Sequence, residues 1–430
     1  MYRRQFSLGW SMALIAVVLM MSGGAVAASK YKVVFDFGKH GFRPHGNLAL
    51  DPKGNFYGAM QTCCGPQFDE LTDSHSGWKE SSWADGGGGY TLANGSPVLD
   101  GAGNLYVTTS AGNYDRESYT GGFVHQWIPG DRQLVDIHMF PVNQNGDCLS
   151  GSDGCDPQAG VILDQAGNLY GTTTEGGTGN CSGYGCGTIF ELSPVSGGGW
   201  TEQVLYSFTG TGGDGTLPAA ALILDAAGNL FGTTAFGGTG SCAGFFPGCG
   251  TVFELSPNGI GGWTETVLYS FQGSADGATP ITSLILDRAG NLYGTTGEGE
   301  NGICCGTAFE LSPNGVGGWV ETVLYAFQGN ADGAYPAASL IFDPAGNLYG
   351  TTFFGGGSGC SGSGCGTAFK LTPNSSGGWS ESLLHAFNNK SGGQNPSSGL
   401  TLYKGTLYGT AEYGGIYGKR GGGVMFEITP

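Results

Sequence analysis

Carboxylate and aromatic side chains recur at one loop position of this sequence, and these residue types are suited to binding or chemistry. The position follows a Thr-Thr pair or its equivalent and holds Glu175, Phe236, Glu298, Phe354 and Tyr413. Aromatic faces contact the C–H groups of sugars, and carboxylates accept hydrogen bonds from hydroxyl groups. We therefore predict these five as ligand-binding residues, with a carbohydrate as the candidate ligand. Packing of the same side chains over neighbouring loops is the alternative interpretation.

The sequence carries no motif that identifies a catalytic centre. It lacks Gly-x-Ser-x-Gly, His-Glu-x-x-His and a phosphate-binding loop. Its six histidines show no metal-ligand spacing; they are His40, His45, His75, His125, His138 and His385. We therefore assign no catalytic residue and no metal ligand, and expect a non-catalytic binding or scaffold module for a carbohydrate or a protein partner. The alternative is a secreted carbohydrate-active enzyme, a glycoside hydrolase or lyase, that uses carboxylates such as Glu175 and Glu298.

Aspartates mark a second group of loops. Three contain Asp-Gly, at Asp214, Asp276 and Asp332, and a longer loop holds Asp147, Asp153 and Asp156. Oxygen-rich loops can bind calcium, but Asp-Gly is first of all a turn signal, and the EF-hand spacing is absent. The sequence thus predicts no cofactor and leaves calcium as the alternative.

Twelve cysteines cluster in local pairs. Four pairs are separated by a few residues, and we predict that they form disulfides within loops, in an oxidising compartment; these are Cys148/Cys155, Cys181/Cys186, Cys242/Cys249 and Cys360/Cys365. The pairs Cys63/Cys64 and Cys304/Cys305 are adjacent. Neighbouring Cα atoms lie closer together than in most disulfides, so a vicinal disulfide and two free thiols both stay open for them.

The N-terminus has the features of an export signal. Arg3 and Arg4 precede an apolar run over residues 8–21, and Ala25-Val26-Ala27 is a small-x-small cleavage site. We predict a signal peptide over residues 1–27 and a single mature domain over 28–430, which is secreted or periplasmic. The paired arginines also resemble a twin-arginine signal, so the export route stays open.

Charge and hydrophobicity narrow the range of partners. The formal net charge is −18, which disfavours nucleic acid and anionic membrane surfaces. We see no second long apolar segment, so we expect no membrane insertion, and we expect a monomer.

Internal repetition determines the predicted fold. The phrase Asp-x-x-Gly-Asn-Leu-Tyr/Phe-Gly-Thr-Thr recurs in near or weaker copies at intervals of about 60 residues. The seven copies begin at Asp51, Asp100, Asp164, Asp225, Asp287, Asp343 and, with Asp replaced, Tyr403. Each unit has four segments with strand character joined by turns, and we find no helical period in the mature chain. The sequence therefore predicts an all-β, seven-bladed β-propeller with four antiparallel strands per blade.

The two ends of the chain complement each other. The seventh unit stops after its third strand, at residues 423–430, whereas residues 31–37 resemble a fourth strand. We therefore predict that the N-terminal strand completes the last blade and closes the ring, which removes exposed sheet edges.

Tryptophan begins most of the predicted fourth strands, at Trp78, Trp200, Trp263, Trp319 and Trp379. Because the position repeats from unit to unit, packing between blades explains it better than stacking on a sugar does.

The full pattern resembles a known repeat family. Gly-Asn-Leu-Tyr-Gly-Thr-Thr, then Gly-Gly, then Gly-Thr-x-Phe-Glu-Leu-Ser-Pro is similar to the GloVer tandem repeat of exported bacterial proteins. The units around Asp164, Asp225, Asp287 and Asp343 match well, and the others match in part. The resemblance implies export and repetition, and it implies no particular reaction. Family members often carry C-terminal sorting anchors, and we expect none here.

Overall fold

Seven four-stranded antiparallel sheets make up the structure, a computed structural model. It describes residues 29–430 except for 39–42, 63–64, 75–76, 85–94, 111, 114–118, 129–133, 149–150, 152, 243–245, 300–304, 358, 376, 389–390 and 417–420. The predicted signal peptide therefore lies outside the described residues. In every sheet the four strands are hydrogen-bonded in the order first, second, third, fourth. The chain is a seven-bladed β-propeller, as the sequence predicted.

The blades are numbered from the first complete sheet, and their strands from first to fourth. Blade 1 comprises Arg43–Leu50, Phe56–Thr62, Gly65–Ser74 and Gly77–Ala84; blade 2 comprises Val98–Leu99, Leu105–Thr109, Phe123–Trp127 and Leu134–Met139. Blade 3 comprises Ile162–Leu163, Leu169–Thr173, Thr188–Pro194 and Trp200–Ser207; blade 4 comprises Ile223–Leu224, Leu230–Thr234, Thr251–Pro257 and Trp263–Ser270. Blade 5 comprises Ile285–Leu286, Leu292–Thr296, Thr307–Pro313 and Trp319–Ala326; blade 6 comprises Ile341–Phe342, Leu348–Thr352, Thr367–Pro373 and Trp379–Ala386.

Blade 7 combines both ends of the chain. Its strands are Thr401–Tyr403, Thr406–Ala411, Val424–Thr429 and the N-terminal Lys30–Asp36. Val33 pairs with Phe426, and Asp36 pairs with Val424, in antiparallel register. The predicted closure of the ring by the N-terminal strand is confirmed. Short two-stranded ladders at Gly215–Thr216 with Phe236–Gly237 and at Gly112–Asn113 with Tyr119–Thr120 lie in the loops, and Cys360–Gly362 forms a 3-10 turn.

The recurring aspartate closes the turn between the first and second strands. In blade 4, Asp225 Oδ1 accepts hydrogen bonds from the N–H groups of Ala227 and Asn229, both at 2.8 Å, and Oδ2 accepts one from the Asn229 side chain. Corresponding bonds recur in blades 1, 2, 3, 5 and 6. These carboxylates are therefore turn residues, which explains their repetition without a catalytic role.

Aromatic rings join one blade to the next. Phe271 follows the fourth strand of blade 4, which is the outer strand of that blade. Its ring lies edge-on to Phe309 in the third strand of blade 5, with ring centroids 5.1 Å apart. Equivalent pairs are Phe140–Phe190, Phe208–Phe253, Phe327–Phe369 and Phe387–Phe426. The tryptophans also pack between blades, as Trp263 of blade 4 against Tyr170 of blade 3 shows. The core thus runs around the ring, between the sheets.

The first threonine of the Thr-Thr pair fixes the innermost segment of the following blade. The Thr233 hydroxyl of blade 4 donates to the Thr282 carbonyl of blade 5 at 3.3 Å, and Thr172 and Thr351 make equivalent bonds to Ala220 and Ser398. The second threonine is buried: Thr234 Oγ1 lies 2.8 Å from Thr251 Oγ1 in the next strand. The motif therefore holds the walls of the central channel in register.

In the described part of the chain, no helix has the length and apolar character needed to cross a membrane.

Candidate functional site

All seven blades contribute to a cavity of about 520 Å³ in the central channel. Its walls are the segments that precede or begin each first strand, and most of their side chains are small, as at Ser96, Ala220, Ser283 and Ala338. The loops between blades and the loops after the second strands meet at the same end of the sheets. Side chains from these loops, including Asp156 and Glu175, surround the mouth of the channel.

A residue of left-handed backbone conformation precedes a proline in five of the loops between blades. These pre-proline residues are Asp156, Leu217, Thr279, Tyr335 and Asn395, with φ between 54° and 59°. Such φ values cost a non-glycine residue roughly 1–2 kcal/mol. In each loop the N–H group of the pre-proline residue donates a hydrogen bond to a carbonyl of the preceding blade, and its carbonyl accepts one from an N–H group of its own blade. Leu217, for example, donates to the Cys186 carbonyl and accepts from the Ala235 N–H group. Strained, rigid positions that carry five different side chains are typical of a binding surface.

The five sequence-predicted ligand residues lie beside this pre-proline set. Glu175, Glu298, Phe354 and Tyr413 each form an antiparallel bridge to the residue two before a proline, and Phe236 pairs with Thr216 in the same way. All five therefore belong to one face of the propeller. Of the five, Glu175 lines the channel cavity, while Tyr413 lines a smaller pocket of about 280 Å³ with Gln394 and Asn395. The ligand-binding role of the five residues stays a prediction.

Blade 3 supplies an acidic group to the mouth. Asp156 Oδ2 accepts hydrogen bonds from Gln158 Nε2 at 2.8 Å and from Thr174 Oγ1 at 3.0 Å. Burial raises the pKa of the neighbouring Glu175, and the charges of Asp156 and Asp147 raise it further. A carboxyl group with a raised pKa beside a second carboxyl group is an arrangement that general acid–base catalysis can use.

Blades 7 and 1 supply a second polar group across the channel. His45 Nε2 lies 3.3 Å from Oε1 of Glu412, whose side chain is almost fully buried. Burial, assisted by the charge of Arg43, lowers the pKa of His45 to about 4, so the imidazole is neutral at pH 7. Burial raises the pKa of Glu412. The Arg43 guanidinium lies over the Tyr413 ring, 4.7 Å from its centroid.

Blades 4 to 6 give the mouth an apolar and aromatic side. Leu217, Ala219 and Ile281 line the cavity there. The Tyr335 and Phe354 rings lie 6.2 Å apart, and Phe354 is 38% exposed. Burial, and then the charge of Glu298, raise the pKa of Tyr335, so the Glu298 carboxyl group interacts electrostatically with that tyrosine. The loops at the mouth therefore combine hydrogen-bonding groups with apolar and aromatic side chains.

Disulfides hold the loops outside the mouth. The structure contains the four spaced pairs as bonded, Cys148–Cys155, Cys181–Cys186, Cys242–Cys249 and Cys360–Cys365, with Cα separations of 5.1 to 5.9 Å. Their presence indicates an oxidising environment. Cys305 is disulfide-bonded, while Cys63, Cys64 and Cys304 lie outside the described residues. A metal site at Cys148, Cys155 and Glu175, whose ligand atoms lie within 4.8 Å of one another, is incompatible with the disulfide between the two cysteines.

The aspartates of the Asp-Gly loops have protein partners. Asp276 Oδ2 accepts bonds from the Tyr269 hydroxyl at 3.1 Å and the Gln272 N–H at 2.8 Å, and Oδ1 accepts bonds from the Ser274 N–H and hydroxyl. Asp214 is bonded in a similar way. These bonds fit the turn interpretation of Asp-Gly.

Sequence reasoning singled out one member of the pre-proline set, Asp156, and only as part of a possible calcium loop. It did not identify the other four members, His45 or Glu412 as candidates. The signal was an X-Pro pair in each loop between blades, in which X changes from unit to unit. The proline is the same in each loop while the residue before it differs, which indicates that the backbone conformation is fixed and the side chain can vary. The pairing of His45 with Glu412 had no such signal, because it depends on closure of the ring.

The family comparison agrees with the repeat pattern. Residues 244–430 match the model of the Gloeobacter/Verrucomicrobia repeat. This part of the chain is similar to that repeat family. The match runs from blade 4 to the end of blade 7, and it confirms the resemblance to the GloVer repeat. Among curated proteins, none matches the sequence.

Solved structures share the fold at low sequence identity. Virginiamycin B lyase from Staphylococcus aureus has a TM-score of 0.55 and 11% identity, over 94% of this chain and 99% of the lyase. An ulvan lyase of polysaccharide lyase family PL25 has a TM-score of 0.51 and 12% identity, over 92% and 95%. YCF48 from Cyanidioschyzon merolae has a TM-score of 0.51 and 12% identity, over 93% and 99%. At such identities the similarity establishes the fold alone.

Proposed function

We propose that this GloVer-repeat propeller is an exported, non-catalytic binding protein that holds a carbohydrate at the mouth of its central channel. Residues 1–27 direct export, and the mature chain works outside the cytoplasm, where its loop disulfides persist. One observation carries the proposal: the loops at the mouth hold unlike side chains, both polar and aromatic, on a repeated, rigid backbone.

The two sides of the mouth match the two kinds of surface on a sugar. Tyr335 and Phe354 offer aromatic faces to C–H groups, with Glu298 beside them to accept a hydroxyl hydrogen bond. Across the channel, Asp156, Gln158 and His45 provide further donors and acceptors. Among the residues named at the mouth, Arg43 alone is cationic, whereas Asp156, Glu175, Glu298 and Glu412 have carboxyl groups. A neutral oligosaccharide therefore fits the site better than a polyanionic one.

A carbohydrate-active enzyme is the second candidate, and a specific observation favours it. Glu175 is half-buried next to Asp156, and its pKa is raised. This is the pairing that a hydrolase or lyase needs for proton transfer to or from its substrate. The neighbouring lyases show that the propeller fold can host such chemistry, but their fold says nothing of this chain's reaction.

A glycan array of the mature protein, run beside a release assay for new reducing ends and unsaturated sugars, distinguishes the candidates. Binding without product formation supports the binding protein. Product formation that is lost in both Glu175→Gln and Asp156→Asn supports the enzyme. An array without a positive glycan contradicts the carbohydrate assignment and points to a protein ligand at the same mouth.

A further inference from the structure

Four seams between neighbouring blades contain the same set of ionisable side chains. A seam is defined as the contact between the outer strand of one blade, the loop that follows it and the outer strand of the next blade. Each seam holds a tyrosine or histidine, then an aspartate, then a glutamate, in that order of elements. The sets are His138/Asp153/Glu202, Tyr206/Asp214/Glu265, Tyr269/Asp276/Glu321 and Tyr325/Asp332/Glu381.

The aspartate of each seam is held by its own loop. The tyrosine hydroxyl donates to it at 3.1 to 3.2 Å in three seams, and His138 Nε2 lies 3.6 Å from Asp153 in the fourth. In the three tyrosine seams, backbone N–H groups also donate to the carboxylate. These bonds fix the position of the aspartate carboxyl group in the seam.

The glutamate of each seam has no such support. Its Oε1 atom is buried and has no hydrogen-bond partner in all four cases. No Lys or Arg of the described residues lies within 4 Å of any of the four carboxyl groups. The groups that face each glutamate are thus the aspartate of the loop and the tyrosine or histidine of the preceding outer strand, and none of them compensates an anion well.

We propose that these seams make the ring of blades sensitive to pH, so that protonation of the four glutamates tightens the propeller and their ionisation loosens it. A protonated glutamate removes the repulsion between its carboxyl group and the aspartate across the seam. An ionised one leaves two carboxylates facing each other beside an unsolvated oxygen atom. Because the set is repeated four times, the seams respond together over one pH range.

The direction of the titration agrees with this geometry. Burial first, and the charge of the facing aspartate second, raise the pKa of each of the four glutamates from its ordinary 4.5 to about 7. Between pH 4.5 and about pH 7, the folded protein therefore binds more protons than the unfolded chain does. Stability is therefore complete below the unfolded pKa and is lost as the pH rises through about 7. Three partly buried histidines, His45, His138 and His385, have pKa values lowered to about 4 and act in the opposite direction below about pH 6.5. Above that pH the seam glutamates act in the same direction as Glu80, whose pKa is raised to about 7 by burial and by the charge of Asp69.

The test is thermal unfolding of the mature protein between pH 6 and pH 8.5, with a chelator present so that bound cations do not alter the charge. The wild-type Tm is expected to fall by several degrees over this range. The variant with Glu202, Glu265, Glu321 and Glu381 all replaced by Gln imitates the protonated state. It is expected to melt higher than the wild type at pH 8.5, with a much flatter dependence on pH.

The matched control replaces Glu254 and Glu310 by Gln. These residues lie on the third strands of blades 4 and 5, where each accepts a bond from a serine hydroxyl at 2.8 Å. The control is expected to keep the wild-type pH profile. If the quadruple variant does not fold, Glu321→Gln alone must still flatten part of the profile. A wild-type Tm independent of pH above 6.5, or a profile unchanged by the glutamine substitutions, overturns the proposal.

Discussion

The ring of Phe253 lies against the backbone of Gly232, so that a methyl group at Gly232 would sit 2.5 Å from the phenyl Cζ atom. The same contact joins Gly171 to Phe190, Gly294 to Phe309, Gly350 to Phe369 and Gly409 to Phe426. The glycine of the Gly-Thr-Thr motif is thus required by the phenylalanine of the next strand. The motif is a packing unit, and the variable residues that follow it are free for function.

Replacement of Gly232 by Ala is expected to destabilise the protein by about 1–3 kcal/mol, because the ring must move in a close-packed blade. Gly101→Ala is the matched control, since no atom lies within 4 Å of the added methyl group. Denaturant unfolding of both variants checks the expectation. Equal denaturation midpoints for the two variants would show that the blade adapts to the added methyl group without loss of stability.

Removal of residues 29–38 is expected to leave the mature protein aggregated or unfolded. The third strand of blade 7 then becomes an unpaired edge, and Tyr31 no longer stacks on His385, whose ring centroid lies 3.6 Å away. Size-exclusion chromatography and circular dichroism provide the measurement. A synthetic peptide of residues 29–38 should partly restore the monomer, whereas a scrambled peptide should not. A stable monomer without this strand would contradict the closure described here.

Loss of one loop disulfide is expected to have a limited effect. The double variant Cys181→Ser and Cys186→Ser removes a link between residues five apart in sequence, and it should cost about 2 kcal/mol or less. The far-ultraviolet circular dichroism should stay unchanged, because the strands are held by other contacts. Peptide mapping of the unreduced wild type should give the four local pairs. Free thiols at these positions, or links between blades, would be inconsistent with the structure.

Asp287→Asn tests the turn aspartates. Burial alone would raise the pKa of Asp287, but hydrogen bonds from Asn291, Ala289 and Tyr293 outweigh it and lower the pKa. The carboxylate therefore contributes stability above its unfolded pKa near 3.8, and the contribution is lost as the pH falls through the lower folded value. The variant should be less stable by about 1 kcal/mol at pH 7. The difference should shrink as the pH falls below about 3.8. A difference independent of pH would argue against a charged turn.

Much of the fold was predictable because each blade repeats the same turn residues and the same alternation of apolar strands. The seven turns, the strand order and the closure of blade 7 all follow from patterns within units of about 60 residues. The site was predictable only in part. The positions of Glu175 and Tyr413 relative to a loop could be read from the sequence. The contact between His45 and Glu412 could not, because it forms only when the ring closes. The left-handed conformation of Tyr335 was also hidden, since β-branched and aromatic residues rarely adopt it.

Calorimetric titration of the mature protein with its best oligosaccharide from the glycan array tests the central claim most directly. We predict that Tyr335→Ala combined with Phe354→Ala weakens binding by about 10-fold or more, while the melting temperature changes little. The control is Ile260→Ala combined with Val316→Ala, which alters two highly exposed side chains on the hairpins at the opposite end of the blades, and it should bind as the wild type does. Equal affinity of all three proteins, or loss of binding only in the control, would contradict a ligand site at the mouth of the channel.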